Sequence, residues 1–131
     1  MKTVKETSQL MSRKIIGDFQ IVTYKCLVNM DWTMLFLSDN ILELSGFPAN
    51  EFLGLESKRT YSSIIHPDDR DSVTKEVAKA NVMNEGFEIF YRIVHKDGMV
   101  VKVFEKGKFV KEDFTNNATI EGMIVKLDYI K

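Results

Sequence analysis

Lys96-Asp97-Gly98 separates two runs in which apolar and polar residues alternate, FEIFYRIVH (87–95) and VVKVFEKGKFV (100–110). Alternation with a period of two belongs to extended chain with one face buried. Asp-Gly supplies the positive φ angles that a tight primed turn requires, so the two runs are expected to pair as an antiparallel hairpin. A third run, ATIEGMIVKLDYI (118–130), follows the polar turn KEDFTNN. The C-terminal part of the chain is therefore read as a three-stranded meander.

Upstream, the period changes several times. FQIVTYKCLVN places Tyr24, Cys26 and Val28 on one face of a strand, and MLFLS (34–38) reads as its hairpin partner across Asp31-Trp32-Thr33. Ser38 or Asp39 is expected to cap a brief helix, NILELS, that stops at Gly46, and Pro48 opens another short turn closed by Gly54. Pro67 suits a first helical position, and Asp68, Asp69 and Asp71 put negative charge at the positive end of the helix dipole. That helix is expected to reach about Asn84, with Val73, Val77 and Ala80 as its buried stripe. Ahead of all this, Val4, Met11 and Ile15 form an apolar stripe on an amphipathic helix ending at Gly17. Strands at both ends with helices between them indicate an α+β domain, one antiparallel sheet with helices on a face. The expected organisation is a flanking helix over 1–17 and a single domain over 18–131.

Composition excludes several classes of function. An apolar content of 44% suffices for a continuous core, and a net charge of -1 with dispersed lysines gives no basic field for nucleic acid or an anionic membrane. No apolar run approaches the roughly 20 residues that span a bilayer, and the first residues lack a secretory h-region. The lone Cys26 cannot close an internal disulfide, so a cytoplasmic location is expected.

His66 beside Asp68 and Asp69 raises the question of catalysis or metal binding. The other histidine, His95, lies at the end of a different strand, and adjacent helical carboxylates diverge by about 100 degrees. The expectation is a structural His66, capping aspartates, no catalytic residue and no metal. Cys26, in mid-strand, reads as a small buried hydrophobe.

Four segments together are similar to the PAS family: SDNILELSGFPANEFLG (38–54), HPDDR (66–70), YRIVHKDG (91–98) and a last strand with Gly122 near its middle. They resemble the subgroup marked by a His-Pro-x-Asp-Arg box and an Asp-Gly hairpin. The resemblance covers roughly residues 19–130. It implies a five-stranded antiparallel sheet in spatial order 2-1-5-4-3, helices over one face and a small cavity between. It also implies a sensory and dimerisation module attached to a histidine kinase, a cyclic-dinucleotide enzyme or a similar effector. Two features depart from the family: Lys102 and its neighbours replace a frequent tryptophan, and Lys126-Leu127-Asp128 stands where Asp-Ile-Thr is common. The cysteine motif of the flavin-binding branch is absent, and the long helix holds no histidine for haem, so neither cofactor is expected.

Alternation and helical stripe assign the cavity lining to Tyr24, Cys26, Val28, Leu35, Leu37, Ile41, Leu44, Phe52, Val73, Val77, Ile89, Tyr91 and Val103. Tyr24, Tyr91 and either Asn40 or Asn81 are the polar groups available there, so an apolar or aromatic small molecule is the expected ligand, if the cavity is not simply filled by side chains. On the opposite face, Phe90 and Phe104 are expected to lie exposed among Arg92, Lys102 and Lys106. Covering them with the Val4, Met11 and Ile15 stripe of a second copy would make a homodimer.

Overall fold

The computed structural model describes residues 21–111 and 118–127. Val4, Met11 and Ile15, and the helix expected over 1–17, lie outside the described residues. The chain runs β1 (Val22–Leu27), β2 (Met34–Leu37), α1 (Ile41–Ser45), a 3-10 turn (Ala49–Glu51), α2 (Tyr61–Ile64), a second 3-10 turn (Pro67–Asp69), α3 (Arg70–Met83), β3 (Phe87–Val94), β4 (Val100–Lys111) and β5 (Ala118–Lys126). The strands form one antiparallel sheet in the order β2-β1-β5-β4-β3. The first and last described strands thus pair at its centre, and the helices between them fold over one face.

The local rules hold where turn chemistry is strong. Gly98 adopts φ 91° in the β3–β4 turn, where Asp97 Oδ1 accepts the Met99 N–H at 2.8 Å. Pro67 opens a 3-10 turn that runs into α3, and α3 ends at Asn84 in the left-handed region, close to the expected stop. The cap of α1 differs from expectation: Asn40 precedes the helix without a side-chain cap bond. Ser38 instead accepts the Thr23 N–H at 2.9 Å and donates to Asn40 Oδ1 at 2.5 Å, tying the end of β2 to β1.

Strand β2 corrects another expectation. The β1–β2 register slips between Lys25 and Cys26, so Met34 pairs with Cys26 while Leu37 pairs with Tyr24. A slip of this kind moves alternate residues to the other face. Met34 and Leu37 are buried, and Leu35, expected to point inward, is 48% exposed.

Gly107 and Gly122 face each other across β4 and β5, and Gly122 also pairs with Tyr24 of β1. A Cβ on Gly122 would lie 2.4 Å from the Lys106 carbonyl oxygen and 2.7 Å from Tyr24 Oη. The two glycines leave the sheet floor bare so that the Tyr24 ring can lie across it. This close approach is what glycine supplies inside a strand.

Candidate functional site

Between the sheet and α3 lies a cavity of about 20 Å³, room for about one water molecule. Its wall combines Tyr24, Cys26, Trp32, Met34, Tyr61, Ile65, Val73, Val77, Phe87, Glu105 and Ile120. Each element contributes for a plain reason. Tyr24 and Cys26 are inward positions of β1, Val73 and Val77 are one turn apart on α3, and Glu105 shares the inward face of β4 with Val103 and Gly107.

Glu105 is 8% exposed. Its carboxylate accepts the Tyr91 hydroxyl at 2.6 Å on Oε1 and the Tyr24 hydroxyl on Oε2. Tyr61 Oη lies 2.7 Å from Tyr91 Oη. Since the Tyr91 hydrogen goes to Glu105, Tyr61 is the donor of that last bond. A continuous chain, Tyr61 to Tyr91 to Glu105 to Tyr24, therefore joins α2, β3, β4 and β1 inside the core.

Burial pushes the Glu105 carboxyl above its ordinary range, because removing water penalises the charged form more than the two tyrosine hydrogen bonds favour it. The neighbours respond in kind. Burial, then the charge on Glu105, raises the Tyr24 hydroxyl, and the same two causes push the Cys26 thiol up to about 12. Tyr61 and Tyr91 are raised by burial first and by Glu105 second. The tyrosines are thus fixed as neutral hydrogen-bond donors, and Cys26 is an unreactive thiol at neutral pH.

The residues expected to line the cavity divide into two groups. Tyr24, Cys26, Val73 and Val77 do line it. Leu37, Ile41, Leu44, Phe52, Ile89, Tyr91 and Val103 are buried in the core around it, Val28 is half-buried at its margin, and exposed Leu35 is not part of it. Tyr91 reaches the site through its hydroxyl. Neither Asn40 nor Asn81 is among the lining residues: Asn40 Nδ2 donates to the Ile21 carbonyl, and Asn81 is exposed. The expectation of a wall with no charged group is overturned by Glu105. Its alternation with Val103 was visible in the sequence, but the strand composition around it, Lys102, Lys106 and Lys108, favours reading any acid there as solvated.

His66 accepts the Asp68 N–H on Nδ1 at 3.1 Å, a capping contact at the start of the 3-10 turn. Asp69 is more than a dipole charge. It accepts Arg92 Nε at 2.9 Å, Arg92 Nη2 at 2.7 Å and the Arg92 backbone N–H at 2.8 Å. Arg92 draws the Asp69 carboxyl down to about 2. No group of three or more His, Cys, Asp or Glu among the described residues could hold a metal. On the outer face Phe90 is 69% exposed and packs on Phe104 at 5.0 Å between ring centres.

The strand order and the helix-covered cavity narrow the family, and comparison decides it. The family model described as "PAS fold" matches residues 34–124.

The chain belongs to the PAS family.

A 97-residue segment of this PAS domain is 34% identical to the methyl sulfide methyltransferase-associated sensor of Methanosarcina acetivorans, covering 72% of this chain and 9% of that protein. The PAS domain thus spans less than a tenth of that relative's length. Among solved structures it is similar to the N-terminal domain of a diguanylate cyclase with PAS/PAC sensor from Marinobacter aquaeolei, with a TM-score of 0.67, 18% identity, 82% of this chain and 94% of that chain covered. A sensory box histidine kinase/response regulator from Burkholderia thailandensis gives a TM-score of 0.64 at 16% identity, covering 88% of this chain and 83% of that one. These likenesses show the fold. No helix among the described residues is long and apolar enough to cross a membrane.

Proposed function

We propose that this PAS domain is the sensory module of a longer cytoplasmic signalling protein, of the subgroup with the His-Pro-x-Asp-Arg box and Asp-Gly hairpin. It reports whether a small molecule occupies the gap between the sheet and α3. The observation that supports this reading is Glu105, a carboxylate buried among aromatic rings against the cavity. Burying a carboxylate costs stability that an aliphatic side chain would not, and a few converging polar groups in an apolar cleft are the usual mark of a ligand site. Tyr24 on β1 and Ile120 on β5 both touch the cavity, and those paired strands are central in the sheet. A ligand that prefers one placement of Tyr24 shifts the population of sheet arrangements by its differential affinity, and the strand ends pass that shift onward. The domain itself catalyses nothing in this reading and needs neither flavin nor haem. Its output belongs to an attached effector, for which the kinase and cyclase names of the compared proteins are the precedent.

Native mass spectrometry of the purified protein, with thermal melts across a metabolite panel, tests the reading. A retained compound or a raised melting temperature is expected. An empty protein with no shift across the panel contradicts it.

A second reading is a ligand-free dimerisation module. A cavity with room for about one water favours it, as does exposed Phe90 packed on Phe104, which is half-buried rather than exposed as expected. In either reading we propose a homodimer that covers this outer face with the N-terminal stripe of a second copy.

A further inference from the structure

We propose that the ligand of this cavity is a small organic cation, an alkyl- or arylammonium ion whose charge sits against Glu105 and whose carbon skeleton lies among the surrounding rings. The inference rests on the sensory reading above and specifies its ligand class.

Among the described residues nothing supplies Glu105 with a counter-charge. The groups facing it are Tyr24 and Cys26 from β1, Tyr61 from α2 and Tyr91 from β3, while α3 presents Val73 and Val77 and β5 presents Ile120 and Ile124. No lysine, arginine or histidine among the described residues pairs with it; the arginines and histidines that do form ion pairs are held by Glu51, Asp68, Asp69 and Asp97. A carboxylate has about four acceptor sites, and two here are filled by Tyr24 and Tyr91. Glu105 is itself part of the cavity wall. An anion would be repelled there, and a neutral apolar molecule would leave the carboxylate with no more partners than before. A cation supplies both the missing charge and the missing donors.

The wall suits the same class. Tyr24, Trp32, Tyr61 and Phe87 line the same cavity as Glu105, and the faces of such rings attract ammonium ions, most strongly where water is excluded. Trp32 also adopts φ 52°, a left-handed conformation that a bulky residue rarely takes, and it holds the indole at the cavity margin. The helix side of the cavity is formed by the buried Val73 and Val77, so a ligand larger than one water molecule must displace them.

Cation and proton compete for Glu105. Burial raises the Glu105 carboxyl and so strengthens the proton's hold on it. Binding an ammonium ion therefore releases a proton, and affinity rises with pH over the range in which the probe stays charged.

Trp32 is the single tryptophan of the chain, so its fluorescence reports the cavity directly. The experiment titrates the protein with ammonium ions from methylammonium to benzylammonium, each paired with the alcohol of the same skeleton, in wild type and Glu105→Gln. At least one ammonium ion is expected to bind about tenfold tighter than its alcohol, the preference vanishing in the variant. Alcohols binding as tightly as their ammonium partners would overturn this inference while leaving the sensory reading intact. No Trp32 response to either series would count against both. Where Glu105→Gln fails to fold, the wild-type pH profile decides. Cation affinity that climbs with pH while alcohol affinity stays level supports the inference, and level profiles for both refute it.

Discussion

Asp69 grips Arg92 through the Nε–Nη2 edge of its guanidinium and through its backbone N–H, at 2.7 to 2.9 Å, and so fastens the start of α3 to β3. The His66 N–H adds a bond to the Arg92 carbonyl at 2.8 Å, and an isolated bridge joins Ile65 to Ile93. One end of the long helix is thus pinned to the sheet, while its body packs through two buried valines.

Asp69→Asn is expected to destabilise the domain by about 1–2 kcal/mol at neutral pH, with the partial exposure of Arg92 limiting the loss. The folded state holds the Asp69 carboxyl at about 2 against an ordinary 3.8. The unfolded chain therefore binds more protons between those values, and the contribution is present above 3.8 and lost as pH falls toward 2. Urea unfolding of both proteins across this range should show the gap closing in acid; a constant gap would mean that the charge is not what matters.

Glu105 has the opposite sign. Its folded carboxyl titrates above the ordinary 4.5, so its favourable contribution is present below 4.5 and lost as pH rises through the folded value. Wild type should lose stability relative to Glu105→Gln as pH is raised from 4.5 toward neutrality, measured by chemical denaturation at each pH. Parallel stability curves would show that Glu105 is ordinarily solvated.

How much of this was legible in the sequence depends on whether the signal was local. Asp97-Gly98 and Pro67 announce themselves through backbone chemistry, and alternation placed Tyr24, Cys26, Ile89 and Val103 inside. The α3 stripe was legible through helical period. Leu35 was misplaced because a register slip opposite Lys25 and Cys26 leaves no trace in the residues of β2 themselves. Trp32 and Tyr61 were missed because each stands in or beside a short irregular segment without period. Glu105 followed from the same alternation as Val103, but its burial becomes credible only once Tyr24 and Tyr91, far away in sequence, are seen to meet it. The bond between Asp69 and Arg92 likewise joins two segments that sequence order keeps apart.

Gly122→Ala should destabilise by about 1–3 kcal/mol, because the added methyl meets both Tyr24 and the backbone of β4. Tyr24→Phe combined with Gly122→Ala should lose less than the sum of the two, since the hydroxyl is one of the clashing atoms. Thermal or urea unfolding of the single and double variants gives the cycle. Strict additivity would show that Tyr24 does not lie over the glycine.

Phe90→Asp should leave monomer stability nearly unchanged, because the side chain is largely in solvent, yet dissociate the proposed homodimer. Sedimentation equilibrium of wild type and variant checks this. A wild-type monomer at high concentration would remove the dimer.

The most direct test of a buried, tyrosine-bonded carboxylate at the cavity is a carbon-13 NMR titration of the glutamate side-chain carboxyls, with Glu105 assigned by comparison with Glu105→Gln. The account predicts a midpoint clearly above the ordinary 4.5 that moves downward when an ammonium ligand is added. A midpoint at or below 4.5, unmoved by any ligand, would contradict it.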